Sequence, residues 1–306
     1  MTRRLRSERT YGMQLDTATT QKPCGQRRRY QEMDSMKPAF LTPMPVVVAH
    51  RGDSMHYPEN TLPAFLSAVK MGIDVVETDV HLSKDGVLVI WHDPTLERNT
   101  DGAGRIEDHT LAELKRFDAG YTFTKDGGRT FPFRGTGVQL ATLEEVLQAC
   151  PGQRFNIDLK SKTPAIVDEF INVIRRNKSE NRVVGASFHI SNLKALRVKA
   201  PEIPTSITTV EVLRYLFLQK THLLPRRLAK GRQIIFQVPV RQWGIEVITP
   251  GFIKAFHERG AVIQVWTIND ESEMRRLFGM GVDSVMTDDP ATVIKVAQEM
   301  WLRKTR

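Results

Sequence analysis

The chain sets short, unbroken apolar runs against longer stretches in which apolar residues recur at helical spacing. Val46-Val47-Val48-Ala49 is one such run and ends at His50. Leu62, Phe65, Leu66 and Val69 follow at i, i+3, i+4 and i+7, the stripe of a helix, with Pro63 near its start. Residues 73–82 and 87–91 read as strands joined through the turn residues Lys84-Asp85-Gly86. Residues 155–160 alternate like a further strand, and the pattern predicts a helix over 164–178. Short strands are expected again at 183–187, 204–207, 233–238, 261–267 and 283–287, with helical segments between most of them. Strands that alternate with helices pair in parallel. About eight such units in roughly 260 residues predict an α/β fold, a TIM (β/α)8 barrel rather than an open sheet.

One segment breaks this rhythm. Residues 94–137 are rich in Gly, Thr and Asp without strong periodicity, and are expected to form a small insertion after an early strand. Two regions are therefore expected: a flexible basic N-terminal extension over 1–44, and the barrel domain with its insertion over 45–306.

Composition narrows the classes further. The 306 residues are 41% hydrophobic and 26% charged, which excludes whole-chain disorder. Cys24 and Cys150 are the only cysteines, too few for a disulfide framework or a cysteine-rich metal site. The net charge of +9 suggests a nucleic-acid partner until its distribution is examined. Residues 1–44 hold nine basic and four acidic side chains, and residues 214–232 hold six basic and none acidic. Removing that +5 and +6 from the total leaves −2 for the remainder, so the expected barrel is not basic and no nucleic-acid partner is expected. No run of 18 apolar residues is present, and the basic start lacks the apolar core of a secretory signal. Glu8, Asp16, Glu32 and Asp34 argue against a transit peptide. A cytoplasmic or peripheral-membrane location is expected.

Polar residues fall at the ends of the apolar runs, where a barrel places its active site. His50-Arg51-Gly52 closes the first run. Glu77 and Asp79 lie two residues apart on a strand, so they share a face with α-carbons about 6.6–7 Å apart. Two carboxylates aimed into one site repel unless a cation or proton sits between them, and a hard divalent metal resolves that repulsion. His92-Asp93 follows the next apolar run, and Asp158 and Lys160 form another same-face pair. Singly, each reads as readily as a structural histidine or a solvated edge. Together they amount to an acid–base pair, a phosphate clamp and a metal nest.

The stretch AHRGDSMHYPENTLPAFLSAVKMGIDVVETDVHLSKDGVLVIWHDPTLERNTDGAGRI closely resembles the signature of the glycerophosphodiester phosphodiesterase family. Its elements are HRG, PENT with a following helix, E-x-D, KDG, V-x-x-HD and an R-x-T-x-G-x-G loop. The segments Ile263-Gln264-Val265-Trp266-Thr267-Ile268-Asn269 and GVDSVMTDDP also look like that family, and the resemblance runs from about residue 46 to 298. It implies a TIM barrel with a small insertion, two catalytic histidines at His50 and His92, and a phosphate-binding arginine at Arg51. Glu77 and Asp79 match the metal carboxylates. Asp158 stands where the family usually carries the glutamate of E-x-K, a departure that shortens the reach to a metal by one carbon. Lys160 matches the lysine of that motif, and Trp266 a tryptophan that lines the substrate pocket. Glu59 in PENT is an additional candidate for metal binding or hydrogen bonding. The implied cofactor is a divalent metal, Mg²⁺ or Ca²⁺, with Mn²⁺ also compatible.

The implied reaction is hydrolysis of a phosphodiester, with charge neutralisation at the phosphate and proton transfer by the histidines. Water, or a substrate hydroxyl next to the phosphoester, is a suitable attacker. The expected products are a glycerol phosphate or lysophosphatidic acid plus an alcohol. Phe117, Tyr121, Phe123, Phe131 and Phe133 make the insertion aromatic, as in family members that hydrolyse lysophospholipids in a phospholipase D-like reaction. The run Val210–Leu218, followed by Lys220, Arg226 and Arg227, sets apolar residues beside positive charge and suits peripheral contact with an anionic bilayer. A lysophospholipid or a small soluble diester is therefore the expected substrate. The alternative reading is a basic adaptor that binds anionic lipid or nucleic acid on a non-catalytic barrel.

Overall fold

The computed structural model describes residues 39–41, 44–228, 234–242 and 244–300. The expected extension over 1–44 lies outside the described residues except for 39–41 and 44, as do Lys230 and Arg232. In chain order the strands are β1 (Val46–His50), β2 (Val75–Leu82), β3 (Leu88–Ile90), β4 (Arg154–Leu159), β5 (Val183–Ala186), β6 (Ile235–Val238), β7 (Arg241–Gln242), β8 (Ile245–Glu246), β9 (Val262–Val265) and β10 (Ser284–Thr287). The helices are α1 (Leu62–Lys70), α2 (Leu111–Leu114), α3 (Leu143–Ala149), α4 (Ala165–Arg176), α5 (Ile190–Lys199), α6 (Thr209–Lys220), α7 (Pro250–His257), α8 (Glu271–Met280) and α9 (Pro290–Glu299).

Seven strands pair in parallel in the order β5-β4-β2-β1-β10-β9-β6. The residues 204–207 join the two outer strands of this order. The Gly185 N–H donates to Pro204 O at 2.9 Å, Ser206 N–H donates to Gly185 O at 3.0 Å, and Ile207 N–H donates to Ile235 O at 3.1 Å. The fold is a TIM-type barrel whose eighth stave is this short extended segment rather than a full strand. Val46 to Ala49 are buried throughout, as expected of a parallel strand covered on both faces. The outer layer packs by the helical stripe: α4 buries Ile166, Val167, Phe170, Ile171, Val173 and Ile174.

One expectation needs correction. Residues 87–91 do not supply a barrel stave, because β3 runs antiparallel to β2 with Val80 opposite Ile90. Only a tight turn separates the two strands, and a parallel pairing needs a crossover of a dozen or more residues. The hairpin of β7 and β8 carries too few residues for a period-2 pattern to reveal it. Beside the barrel, Val89, Trp91, Leu96, Ile106, Leu114, Ala119, Val138 and Leu140 form a second, smaller hydrophobic cluster.

Register decides what meets at the strand ends. His50 lies opposite Glu77, Glu77 opposite Asn156, and Asp79 opposite Asp158. Three neighbouring strands thus deliver their polar residues to one mouth of the barrel.

Candidate active site

The chain leaves β1 through a tight turn, with Arg51 at φ 57° and Gly52 at φ 85°. A Cβ on Gly52 would stand 2.7 Å from the Ala64 carbonyl carbon, so only glycine lets α1 pack this closely beneath the turn. The turn brings the Arg51 N–H to the Glu77 carboxylate at 3.2 Å and the Arg51 guanidinium to Glu59 at 2.8 Å. His50, Arg51, Glu77, Asp79, His92, Asp158, Lys160 and Trp266 all line one cavity of about 550 Å³. Glu59 stands behind them, bridging Arg51 and Arg98.

Each histidine is held by a carboxylate at Nδ1. His50 Nδ1 lies 2.7 Å from Asp288 Oδ1, and His92 Nδ1 lies 2.6 Å from Asp93 Oδ1. Each Nε2 is thereby left for the cavity, with that of His50 4.0 Å from Glu77. The two surroundings differ. Burial opposes charging of His50, but the Asp288 hydrogen bond and the Glu77 charge outweigh it and raise its pKa. Burial prevails at His92, where Arg51 and Lys160 add to it, and the pKa falls. Asp93 is also bound by Arg98, and Arg98 bonds Glu59 at 2.6 and 3.0 Å. A continuous ionic chain therefore runs from Arg51 through Glu59, Arg98 and Asp93 to His92.

The carboxylates carry opposite perturbations. Burial raises Glu77 to about 7, reinforced by the charge of Asp79. Burial also works against ionised Asp79, but Lys160 and Arg51 outweigh it and hold its carboxyl below the usual range. Asp158 is raised, chiefly by burial. Lys160 Nζ sits between two of them, 2.9 Å from Asp79 and 2.7 Å from Asp158, and is held protonated by both.

The residues fit a hard divalent cation in their chemistry. Glu77, Asp79, Asp158 and Asn156 offer only oxygen donors, and the buried Asp158 Oδ1 and Asn156 Oδ1 accept no hydrogen bond. Their present spacing does not converge on one point: among the described residues no group of three or more His, Cys, Asp or Glu side chains is placed to hold a metal ion. The lysine between Asp79 and Asp158 and the short reach of Asp158 account for that spacing.

Several site residues lay within quoted motifs but carried no role in the sequence reading. Asn156 repeats, two residues before Asp158, the alternation that exposes Glu77 and Asp79. Asp288 follows β10 directly and is itself held by Asn269 at 2.7 Å, with Ser54 Oγ 3.0 Å away. The aromatics of the insertion pack chiefly within it. Phe117 and Phe133 pack on the second hydrophobic cluster, Phe123 stacks edge-on against Phe133, and Arg134 lies against Tyr121 and Phe131. None of these aromatics is among the cavity's lining residues; Phe117 and Phe133 pack on the lobe's core, and Tyr121 is exposed. The apolar lining comes instead from Phe188, from Val212, Leu213, Leu216 and Phe217 on α6, and from Ile245 on β8.

The family described as the glycerophosphoryl diester phosphodiesterase family matches residues 50–292, a span that includes every one of these polar lining residues. The chain belongs to that family. It is 32% identical over 259 residues to a glycerophosphodiester phosphodiesterase of Caldanaerobacter subterraneus, covering 83% of this chain and 98% of that protein. It is 26% identical over 278 residues to the rat protein named lysophospholipase D GDPD1, covering 83% and 86% of the two chains. Among solved structures, an Oleispira antarctica phosphodiesterase in complex with the product sn-glycerol-3-phosphate aligns with a TM-score of 0.67 at 28% identity, covering 83% of this chain and 97% of that one. This member of the glycerophosphodiester phosphodiesterases is thus an enzyme, a phosphoric diester hydrolase, and a non-catalytic adaptor is not the reading the comparisons support.

Proposed function

We propose that the enzyme is a metal-dependent, lysophospholipase D-like phosphodiesterase that cleaves lysophospholipids, with acyl-free glycerophosphodiesters as weaker substrates. The observation that carries this is the division of the cavity. His50, Arg51, His92, Lys160 and the carboxylates supply a polar set, and Phe188, Leu213, Leu216, Phe217 and Ile245 supply an apolar wall that meets it where the Phe188 ring lies 5.4 Å from Lys160 Nζ. A diester held by the polar set extends an acyl chain along that wall. Each methylene moved from water onto that wall contributes about 0.8 kcal/mol, so a few methylenes decide between the two substrate classes. The cavity volume falls within the roughly 300–1,000 Å³ of small-ligand sites.

Arg51 and Lys160 hold the non-bridging phosphate oxygens and offset the charge that grows as the phosphorus gains a fifth oxygen. One of His50 and His92 accepts the proton of the attacking hydroxyl while the other donates one to the departing alcohol oxygen. The new P–O bond forms opposite the P–O bond to the head-group alcohol, which leaves as choline from a phosphocholine substrate. Trp266, half-buried against the barrel core, flanks the reacting end. Glu77, Asp79 and Asp158 would hold the hard divalent cation. Such a cation, Mg²⁺, Ca²⁺ or Mn²⁺, supplies Lewis-acid neutralisation of phosphate charge when bound. Peripheral contact with a membrane accompanies this substrate choice, since lysophospholipids reside there.

The test is choline release from lysophosphatidylcholine by protein stripped with a chelator and then supplied with Mg²⁺, Ca²⁺ or Mn²⁺ separately. Activity lost on stripping and restored by at least one of them, with lysophosphatidic acid as the co-product, is the expected result. Full activity in the stripped protein contradicts the metal assignment, and phosphocholine as the product contradicts the bond cleaved.

A further inference from the structure

Large apolar side chains are usually exposed one at a time, without consequence. Here they gather round one opening. Phe188, Leu213, Phe217 and Ile245 line the cavity and are nevertheless 61%, 46%, 64% and 59% exposed. On α6, Val210, Leu213 and Phe217 recur at i, i+3 and i+7 on the exposed face, while Val212 and Tyr215 are buried. Helical geometry sets Arg214 on one side of that stripe and Lys220 on the other. Past the helix, Leu223 is 67% exposed, followed by exposed Arg226 and Arg227. Among the described residues no carboxylate pairs with Arg214, Lys220, Arg226 or Arg227. The loop is fixed in place: Leu223 N–H donates to Leu218 O at 2.8 Å, the Tyr215 hydroxyl to Leu228 O at 2.7 Å, and Arg259 Nε to Pro225 O at 3.0 Å.

We infer that this lip, formed by α6 with its flanking Arg214 and Lys220, by Phe188 and by Ile245, is a docking face for an anionic lipid bilayer. The inference rests on the lipid-substrate reading above and names the surface from which that substrate enters. Contiguous apolar residues rimmed by cations that no described carboxylate pairs suit the boundary between head groups and acyl chains, where the apolar tips are buried and the cations meet anionic phosphates. The cavity opens within the same lip, so a lysophospholipid passes from bilayer to site without its chain crossing water.

The full-length protein is sedimented with vesicles of phosphatidylcholine alone and of phosphatidylcholine mixed with phosphatidylglycerol. Binding to the anionic vesicles that weakens with salt is expected. Arg214→Glu and Val210→Ser each weaken that binding about tenfold. Both also slow choline release from lysophosphatidylcholine embedded in those vesicles, while turnover of glycerophosphocholine in solution stays unchanged and reports an intact fold. No binding by the unaltered protein, or binding by both variants equal to that of the unaltered protein, overturns the docking face. The second result would mean that other residues, such as the basic N-terminal stretch, carry the attraction. If binding follows the prediction but lysophosphatidylcholine is never cleaved, the docking face stands and the lipid-substrate reading falls.

Discussion

His50 and His92 reach the cavity from different strand ends, yet each presents Nε2 because a carboxylate holds its Nδ1. In the proposed reaction Asp288 acts only through His50. It orients the ring and, by accepting its N–H, favours the charged imidazolium. Asn269 and Ser54 hold Asp288 in turn, so the pair is braced from two other loops. Asp288→Asn removes the charge but keeps the shape. The expected outcome is a fall in kcat smaller than the roughly 10²–10⁴-fold worth of the histidine itself. With the Asp288 charge gone and only Glu77 left to oppose burial, the pKa of His50 drops, so whichever limb of the pH–rate profile belongs to His50 moves to lower pH. Measured pH profiles of the two proteins check this; a uniform loss of activity with the limbs unmoved would mean that Asp288 serves only the fold.

At the level of elements, the strands carrying the chemistry were legible because their polar residues interrupt buried runs. Glu77 with Asp79, and Asp158 with Lys160, declare a face by their spacing, and the register then brings the faces together. The apolar half of the cavity was not legible in the same way. A run such as Phe117 to Phe133 attracts attention as aromatic, but those rings satisfy one another and the small core beside the barrel. α6 reads as an ordinary barrel helix because its buried stripe of Val212 and Tyr215 meets the usual pattern. Its exposed stripe becomes informative only once the cavity is seen to open beside it. Asp288 escaped notice for a related reason: its partner His50 is 238 residues away in the chain. Phe217→Ala tests the helix's part in substrate choice. Trimming a ring from an apolar wall costs roughly 1–3 kcal/mol, so KM for lysophosphatidylcholine rises about tenfold or more while kinetics with glycerophosphocholine are unaltered. An equal rise for both substrates would place Phe217 outside the acyl path.

Over the whole molecule, the charge of +9 does not describe the part that does the chemistry. The residues outside 1–44 and 214–232 sum to −2, and the reacting end is a balanced set in which cations and carboxylates alternate. Glu77 is the exception. Its raised pKa marks a buried carboxyl short of positive partners, so ionising it as the pH rises toward and past about 7 opposes folding unless a cation is supplied. Part of the concentrated positive charge, Arg214 and Lys220 on α6, stands beside the cavity's apolar wall. Chemistry and docking therefore share one end of the barrel, and the enzyme's preference should follow from both. The most direct measurement is kcat/KM for choline release from monomeric lysophosphatidylcholine and from glycerophosphocholine, under the same metal and without vesicles. The account predicts a clearly larger value for the acylated substrate, and an equal or larger value for the acyl-free one would contradict it.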